Sequence, residues 1–304
     1  MKELELLTRA FSFICVIGLG YILKIQGIVR REDATIFSTL VMNVTLPASL
    51  FIASSTAQVS LSLYLPFLLG ILCNLLLNLV GYWEAKHSGH QASVGLMQLS
   101  GYNIGTFTLP FVQAFFPASS LLSVIVFDAG NAIMVLGGNY SIATGIDVEK
   151  EGMSVTSFLK NISRSIPLMV YLVSLLLASL SIQLPQEILS TLTIASNANP
   201  FLAMLMLGIL LDLNLNWKEI GRLSYLLFLR VGANILMGAL IYFLSPIEQS
   251  MKMMLLVCLA SPISVMSPIY ALKLGSRSAE PANVNSLSIL VSLAVMVLLI
   301  FLFV

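Results

Sequence analysis

Charge is what this sequence has least of. Only 10% of its 304 residues are Asp, Glu, Lys or Arg, against about a quarter in soluble domains. There is no shell of ionised side chains to hold a globular body in water. Histidine is almost missing: His87 and His90 share one loop, EAKHSGHQ, with no further ligands beside them. That argues against a metal centre and against the commonest nucleophile–base arrangement of a membrane hydrolase, a Ser–Lys type staying open. The three cysteines, Cys15, Cys73 and Cys258, lie in separate apolar runs without paired spacing, so they read as small buried hydrophobes and not as a disulfide framework or metal ligands. No glycine-rich loop cradles a phosphate and no long soluble region could hold one, which removes ATP as an energy source and leaves no cofactor to expect. A net charge of +1 gives no sign of a nucleic-acid partner.

What is present is apolar. Hydrophobic residues make up 58% and the mean hydropathy is +0.97, so the chain reads as a polytopic protein of a lipid bilayer. A span needs roughly 20 mostly apolar residues. Charged or turn-rich breaks divide the chain at about 6–27, 34–56, 61–83, 92–116, 118–142, 158–181, 187–211, 219–244, 250–272 and 281–304. The start, MKELELLTR, is mixed in charge, and the apolar run after it leads into KIQGIVRRED instead of a small-residue cleavage site, so it reads as a retained first span. Numbering sides alternately, Lys24, Arg30, Arg31, Lys86, Lys150, Lys160, Arg164, Lys218, Arg222, Lys273 and Arg277 gather on one side. Lys2, Arg9 and Lys252 are on the other, and Arg230 is in mid-span. This asymmetry places the basic side in the cytoplasm and both termini outside a cytoplasmic (inner) membrane. The sequons at Asn43, Asn139 and Asn161 then fall in the membrane or on the cytoplasmic side, where no glycosylation is expected.

The central loop GIDVEKEGMSVTS follows span five and invites comparison of the halves. Span 2 carries NVTLPASLF, where Asn43 and Pro47 are expected to break the helix, and span 7 carries SNANPFLAM, where Asn199 and Pro200 are expected to do the same. Span 3 has Asn74 and Asn78 at i, i+4, and span 8 has Arg230 and Asn234 at the same spacing, each pair on one helix face. Span 4 holds SGYNIGTFTLPFV and span 9 holds LASPISVMSPIY. Pro110 and Pro262 each remove a backbone donor, and unwound backbone at bilayer depth survives only where protein buries it or it lines a cavity. Five spans per half is an odd number, so the halves have opposite orientation. Paired broken helices in an inverted repeat point to a transporter's midplane site. The expected fold is therefore an all-α membrane protein of ten transmembrane helices in two inverted five-helix repeats, with helices 4 and 9 broken.

These motifs resemble the auxin efflux carrier family of permeases, in order and along essentially the whole chain. NVTLPASLF is similar to the family's span-2 pattern, NIGTFTLPFVQAFF to its span-4 pattern, NPFLAMLMLGILLDL to its span-7 pattern, and Ser261–Pro262 to its span-9 proline. The resemblance implies the crossover fold of sodium/proton antiporters and bile-acid symporters. It implies a scaffold, often dimeric, from residues 1–60 and 158–214, and a transport domain from 61–145 and 215–304, with 146–157 as the cytoplasmic loop between them. Spans 4 and 9 would cross at the substrate site. The chain departs from plant members in lacking a long hydrophilic central loop, and it has serines where they have Asn beside Pro262, both of which argue against auxin as substrate.

The expected substrate is a small organic anion, a mono- or dicarboxylate, held by Asn103, Gly105, Thr106 and Pro110 of span 4 and Ser261, Pro262 and Ser264 of span 9. Two mid-span charges add to this, each costing about 2.5–3.5 kcal/mol on insertion scales. Asp128, with Asn131 at i+3, is the candidate to carry a coupling H⁺ or Na⁺. Arg230 is the candidate to grip a substrate carboxylate. The bland alternative is that these two simply pair with each other. Asn285, Ser288 and Ser292 form a polar stripe on span 10, which either faces the crossover or packs closely between helices. Rival readings are a sodium-coupled bile-acid-type symporter, for which Asp128 is the one carboxylate on offer, and a membrane sensor that binds without transporting. An intramembrane enzyme is the third.

Overall fold

A computed structural model describes residues 2–55, 63–116, 118–147, 154–180, 182, 184–211 and 217–303. Residues 148–153 of the central loop and the Asp212–Leu213 end of the span-7 motif lie outside the described residues. What is described is helical, without a strand. The elements are α1 (Lys2–Ile25), α2 (Ala34–Leu40), α3 (Leu46–Ser55), α4 (Tyr64–His87), α5 (Ala92–Leu99), α6 (Leu109–Phe115), α7 (Ala118–Ile133), α8 (Asn139–Ile146) and α9 (Val155–Arg164). They continue as α10 (Ile166–Ser179), α11 (Gln186–Leu210), α12 (Trp217–Leu244), α13 (Gln249–Leu259), α14 (Met266–Lys273) and α15 (Glu280–Phe303).

Six helical runs are long and apolar enough to cross a membrane: Arg31–Ala53, Tyr64–His87, Ser120–Ile146, Gln186–Leu210, Glu219–Leu244 and Glu280–Leu299. Two further expected spans are interrupted. Span 4 divides into α5 and the run Ile104–Phe115, and span 9 into α13 and α14. Wide π-turns, Val41–Thr45 and Ile104–Thr108, precede α3 and α6, and each ends in the same tripeptide context, Thr45-Leu46-Pro47 and Thr108-Leu109-Pro110. A proline cannot donate to the carbonyl one turn back and its ring pushes that carbonyl aside, which is where a helix opens into a π-turn.

Three expectations need correction. The unwinding in span 4 is at Ser100–Asn103, upstream of Pro110, which sits buried in the second half-helix. Asn199 and Pro200 do not break their helix: α11 runs through Pro200. The Ser196 carbonyl, which an N–H at position 200 would have bonded, accepts instead from Gln113 Nε2 at 2.9 Å. Span 6 does not begin at Phe158, because α9 ends at Arg164 and α10 starts separately at Ile166.

Packing follows small residues. A methyl at Gly130 would sit 2.1 Å from the Phe67 carbonyl oxygen and one at Gly70 2.2 Å from that of Phe127. These two glycines let α4 and α7 touch backbone to backbone, as helices in lipid tend to do. The main core gathers α1, α3, α6, α7, α11 and α13, with Phe107, Phe111, Phe127, Leu46 and Leu77 fully buried.

Candidate functional site

The two breaks meet. Between α5 and α6 the chain is unwound through Ser100, Gly101, Tyr102 and Asn103; between α13 and α14 it is unwound through Ser261–Ser264. Tyr102 and Ile263 form an antiparallel bridge. Asn103 N–H donates to the Pro262 carbonyl at 2.9 Å and Ser264 N–H to that of Gly101 at 3.3 Å. Gly101 has φ +80, the left-handed region that only glycine enters at little cost.

Side chains supply the partners that a helix would have given this backbone. The Asn131 amide behaves like a neighbouring strand. Its Oδ1 accepts from Tyr102 N–H at 3.1 Å, and its Nδ2 donates to the Tyr102 carbonyl at 2.9 Å and to Asp128 Oδ1 at 2.9 Å. Asn74 Oδ1 accepts from Gly101 N–H at 3.0 Å and from Asn139 Nδ2 at 3.1 Å. Across the crossing, Asn285 Nδ2 donates to the carbonyls of Ile263 (2.8 Å) and Ser264 (3.1 Å), while Ser288 Oγ accepts from Ile263 N–H at 3.0 Å. Asn131 on one side and Asn285 with Ser288 on the other therefore grip both polar groups of the two bridged residues.

Arg230 binds the crossing itself. It is 2% exposed; its guanidinium donates to the carbonyls of Leu99, Gly101 (2.9 Å), Ser261 (3.2 Å) and Pro262 (3.5 Å), and it lies over the Tyr102 ring at 4.8 Å. The Tyr102 hydroxyl donates to Asn234 Oδ1 at 2.8 Å. The ends of α5 and α13 present unpaired carbonyls and the negative ends of their dipoles, and Arg230 meets both. Arg230 and Asp128 do not pair with each other. Arg222, nearer the start of the same helix, is the one of the two α12 arginines that pairs with carboxylates, those of Glu84 and Glu280.

On the other face of the crossing is a cavity of about 300 Å³. Asn103, Gly105, Thr106, Asp128 and Ser264 line it, with apolar walls from Met42, Leu46, Leu136, Leu168 and Tyr171 among others. Among the described residues no Lys, Arg or His lines it. Asn103 is 6% exposed. Its Oδ1 accepts from the Thr106 hydroxyl, and its Nδ2 is buried with no hydrogen-bond partner among the described residues. Gly105 sets the first turn beyond the break beside Asp128, whose Oδ2 is 3.6 Å from where a methyl at Gly105 would lie. The starts of both second half-helices, Ile104 and Met266, border this cavity.

No protein-family model matches the sequence. Two archaeal proteins are similar to it. An uncharacterized transporter of Methanocaldococcus jannaschii is 28% identical over 207 residues, 64% of this chain and 65% of that protein. An uncharacterized transporter of Methanothermobacter thermautotrophicus is 27% identical over 128 residues, 40% of this chain and 42% of that protein. The chain thus spans less than two thirds of the length of either. Similarity to transporters and the long apolar helices together support a multi-pass membrane transporter.

The expected site residues therefore separate into two groups. Asn103, Gly105, Thr106, Asp128 and Ser264 share the cavity. Arg230 and Asn285 spend their donors on backbone carbonyls. Pro110, Ser261 and Pro262 are not on the cavity wall; the Ser261 hydroxyl bonds that of Thr108. Asn131 touches both groups, lining the cavity while clamping Tyr102. Asn43 lies in the first π-turn and Pro47 just beyond it. Asn199 Oδ1 accepts from the Thr45 hydroxyl at 2.8 Å, and its Nδ2 donates to Gln113 Oε1 at 3.1 Å. The roles of Asn74, Asn139 and Tyr102 escaped sequence reasoning. The signal was available for the asparagines, because Asn74/Asn78 and Asn131/Asn139 recur at spacings that keep each pair on one face.

Proposed function

We propose that the protein is a secondary transporter of the auxin efflux carrier type, moving a small organic anion across the cytoplasmic membrane by alternating access. The observation that carries this reading is the unpaired amide donor of Asn103, buried in a cavity at the crossing of two broken helices. A buried donor without a partner is costly, and a carboxylate oxygen would satisfy it. Two half-helix starts beside it favour negative charge. The absence of a basic side chain from the lining favours one carboxylate on an apolar body over a dicarboxylate. Asp128 would oppose an anion unless neutralised, so uptake of H⁺, or binding of Na⁺ with Thr106 and neighbouring oxygens, becomes the coupling step.

The same reading takes the chain as ten spans in two inverted repeats, both termini outside. Residues 1–60 and 158–214 form the scaffold, which would make a homodimer, and 61–145 with 215–304 form the transport unit. Exchange of the halves would require span 1 to meet span 7 and span 2 to meet span 6. The contacts of α1 with α11 and of α3 with α10 support it.

The test is uptake of labelled monocarboxylates and dicarboxylates into proteoliposomes under separate proton and sodium gradients, with Asn103→Ala and Asp128→Asn alongside. Gradient-driven monocarboxylate uptake lost in Asn103→Ala, and uncoupled in Asp128→Asn, is expected. Binding without flux under any gradient would overturn the transporter reading.

A further inference from the structure

Helix α9 is built unlike the spans around it. Ser154 caps it, its Oγ accepting from Ser157 N–H at 3.1 Å. At 3.6 residues per turn, Val155, Phe158, Leu159 and Ile162 fall within about 100° of arc, with Ser157, Lys160 and Arg164 opposite. The protein covers one flank of that apolar arc: Phe158 and Ile162 are half-buried, and Ile162 packs on the main core. The other flank is bare, with Val155 74% and Leu159 57% exposed. Lys160 and Arg164 are exposed on the far side. The bare flank runs on into apolar side chains of α10, where Ile166, Leu172, Val173 and Leu176 are also uncovered. Asn161 Nδ2 donates to the Leu136 carbonyl at 3.1 Å, and Leu136 and Ser165, on either side of that bond, both line the cavity.

We infer that α9 is an interfacial anchor in the cytoplasmic leaflet, with Val155 and Leu159 dipping into the acyl boundary while Lys160 and Arg164 engage anionic lipid headgroups. The inference rests on the membrane reading and its orientation. The occupant follows from the surface itself: a bare apolar flank and a basic far face run along one short helix, continuous with a lipid-facing span, which is the pattern of helices lying in the membrane plane. Anionic headgroups attract basic residues on the cytoplasmic surface. Through Asn161 the anchor holds the rim of the cavity, so the leaflet fixes the point from which the cavity wall moves.

The experiment uses the full chain with Cys15→Ser and Leu159→Cys, Cys73 and Cys258 being buried. A nitroxide is attached at position 159, and the protein is reconstituted in phosphatidylcholine bilayers with and without phosphatidylglycerol. Collision with oxygen against a water-soluble nickel chelate reads the depth of the label. The label is expected within lipid when phosphatidylglycerol is present, with a Ser157→Cys label in water as control. In Lys160→Gln/Arg164→Gln the bound equilibrium is expected to fall roughly 30-fold, two basic residues at about fivefold each. A label in water in both lipids overturns the proposal, and so does a depth indifferent to phosphatidylglycerol and to the two charges. No substrate is needed, so absence of uptake would count against the transporter reading without touching this result.

Discussion

A charge buried in mid-span has to be held by something, and for Arg230 that is backbone. The guanidinium donates to four carbonyls from two separate breaks, so removing it leaves acceptors unpaired at the ends of both α5 and α13. Each such group costs about 1–3 kcal/mol. Arg230→Ala is therefore expected to lower the melting temperature steeply in detergent. Arg230→Lys should recover only part, because an ammonium cannot fork between carbonyls of two segments. A substrate-gripping arginine would behave oppositely, melting normally and losing affinity. Gly101 makes a second demand at the same place. Its φ of +80 and the 2.8 Å separation of an added methyl from Ser264 Cβ predict that Gly101→Ala destabilises by about 1–3 kcal/mol. Gly105→Ala is the contrast: its methyl would meet Leu46 and Asp128 at 3.4 and 3.6 Å, ordinary contact distances. That variant should melt like the parent while weakening substrate binding by filling the cavity beside Asp128.

Between elements, a charged tie joins α4 to α12. Arg222 holds Glu84 in a bidentate grip, Nη2 to Oε2 at 2.9 Å, with the Ser88 hydroxyl donating to Oε1 at 2.6 Å. Glu84 is 2% exposed and Arg222 22%, so the pair is only partly screened. Chemical melts should show Glu84→Gln and Arg222→Gln each destabilising, and the double variant less so than the sum, with a coupling of about 1–3 kcal/mol. Additive losses would mean that the two act separately. Neither partner could be paired from sequence, since they are more than a hundred positions apart. The same limit explains what else was legible. The run SGYNIGTFTLPFV marked span 4 as broken, because glycine, an amide and proline all weaken a helix. The break settles at 100–103 because that backbone meets residues 261–264, a partner chosen by the fold. Asn199–Pro200 carries an equal local signal and yields an unbroken α11, since Gln113 from another helix takes the freed carbonyl. Arg230 stood out as a buried charge, but its partners are carbonyls, which every residue has. The start of span 6 misleads because Phe158, Leu159 and Ile162 lead into the apolar run of α10, and only the one-sided pattern of α9 separates the two.

At the scale of the molecule the two ends of the cavity differ. Its lining includes Ser38, Leu136, Ser165 and Pro167, which the transporter reading places in the cytoplasmic half. Toward the other side, Phe13 of α1 packs on Phe111 and Phe115 of α6, with ring centroids 6.0 and 5.2 Å apart. In the transporter reading α1 belongs to the scaffold and α6 to the moving unit, so this aromatic contact is the outer seal and must part once per cycle. The consequence can be tested with Phe13→Cys and Phe115→Cys in a Cys15→Ser background, joined by a short bifunctional thiosulfonate. The cross-link is expected to stop uptake and reduction to restore it. Modification of a Ser165→Cys reporter from the cytoplasmic side should proceed equally in both states, since in this reading the link closes only the opposite end. Uptake that continues with the link intact would show that α1 and α6 move together, and the opening to the outside would then have to pass between other helices.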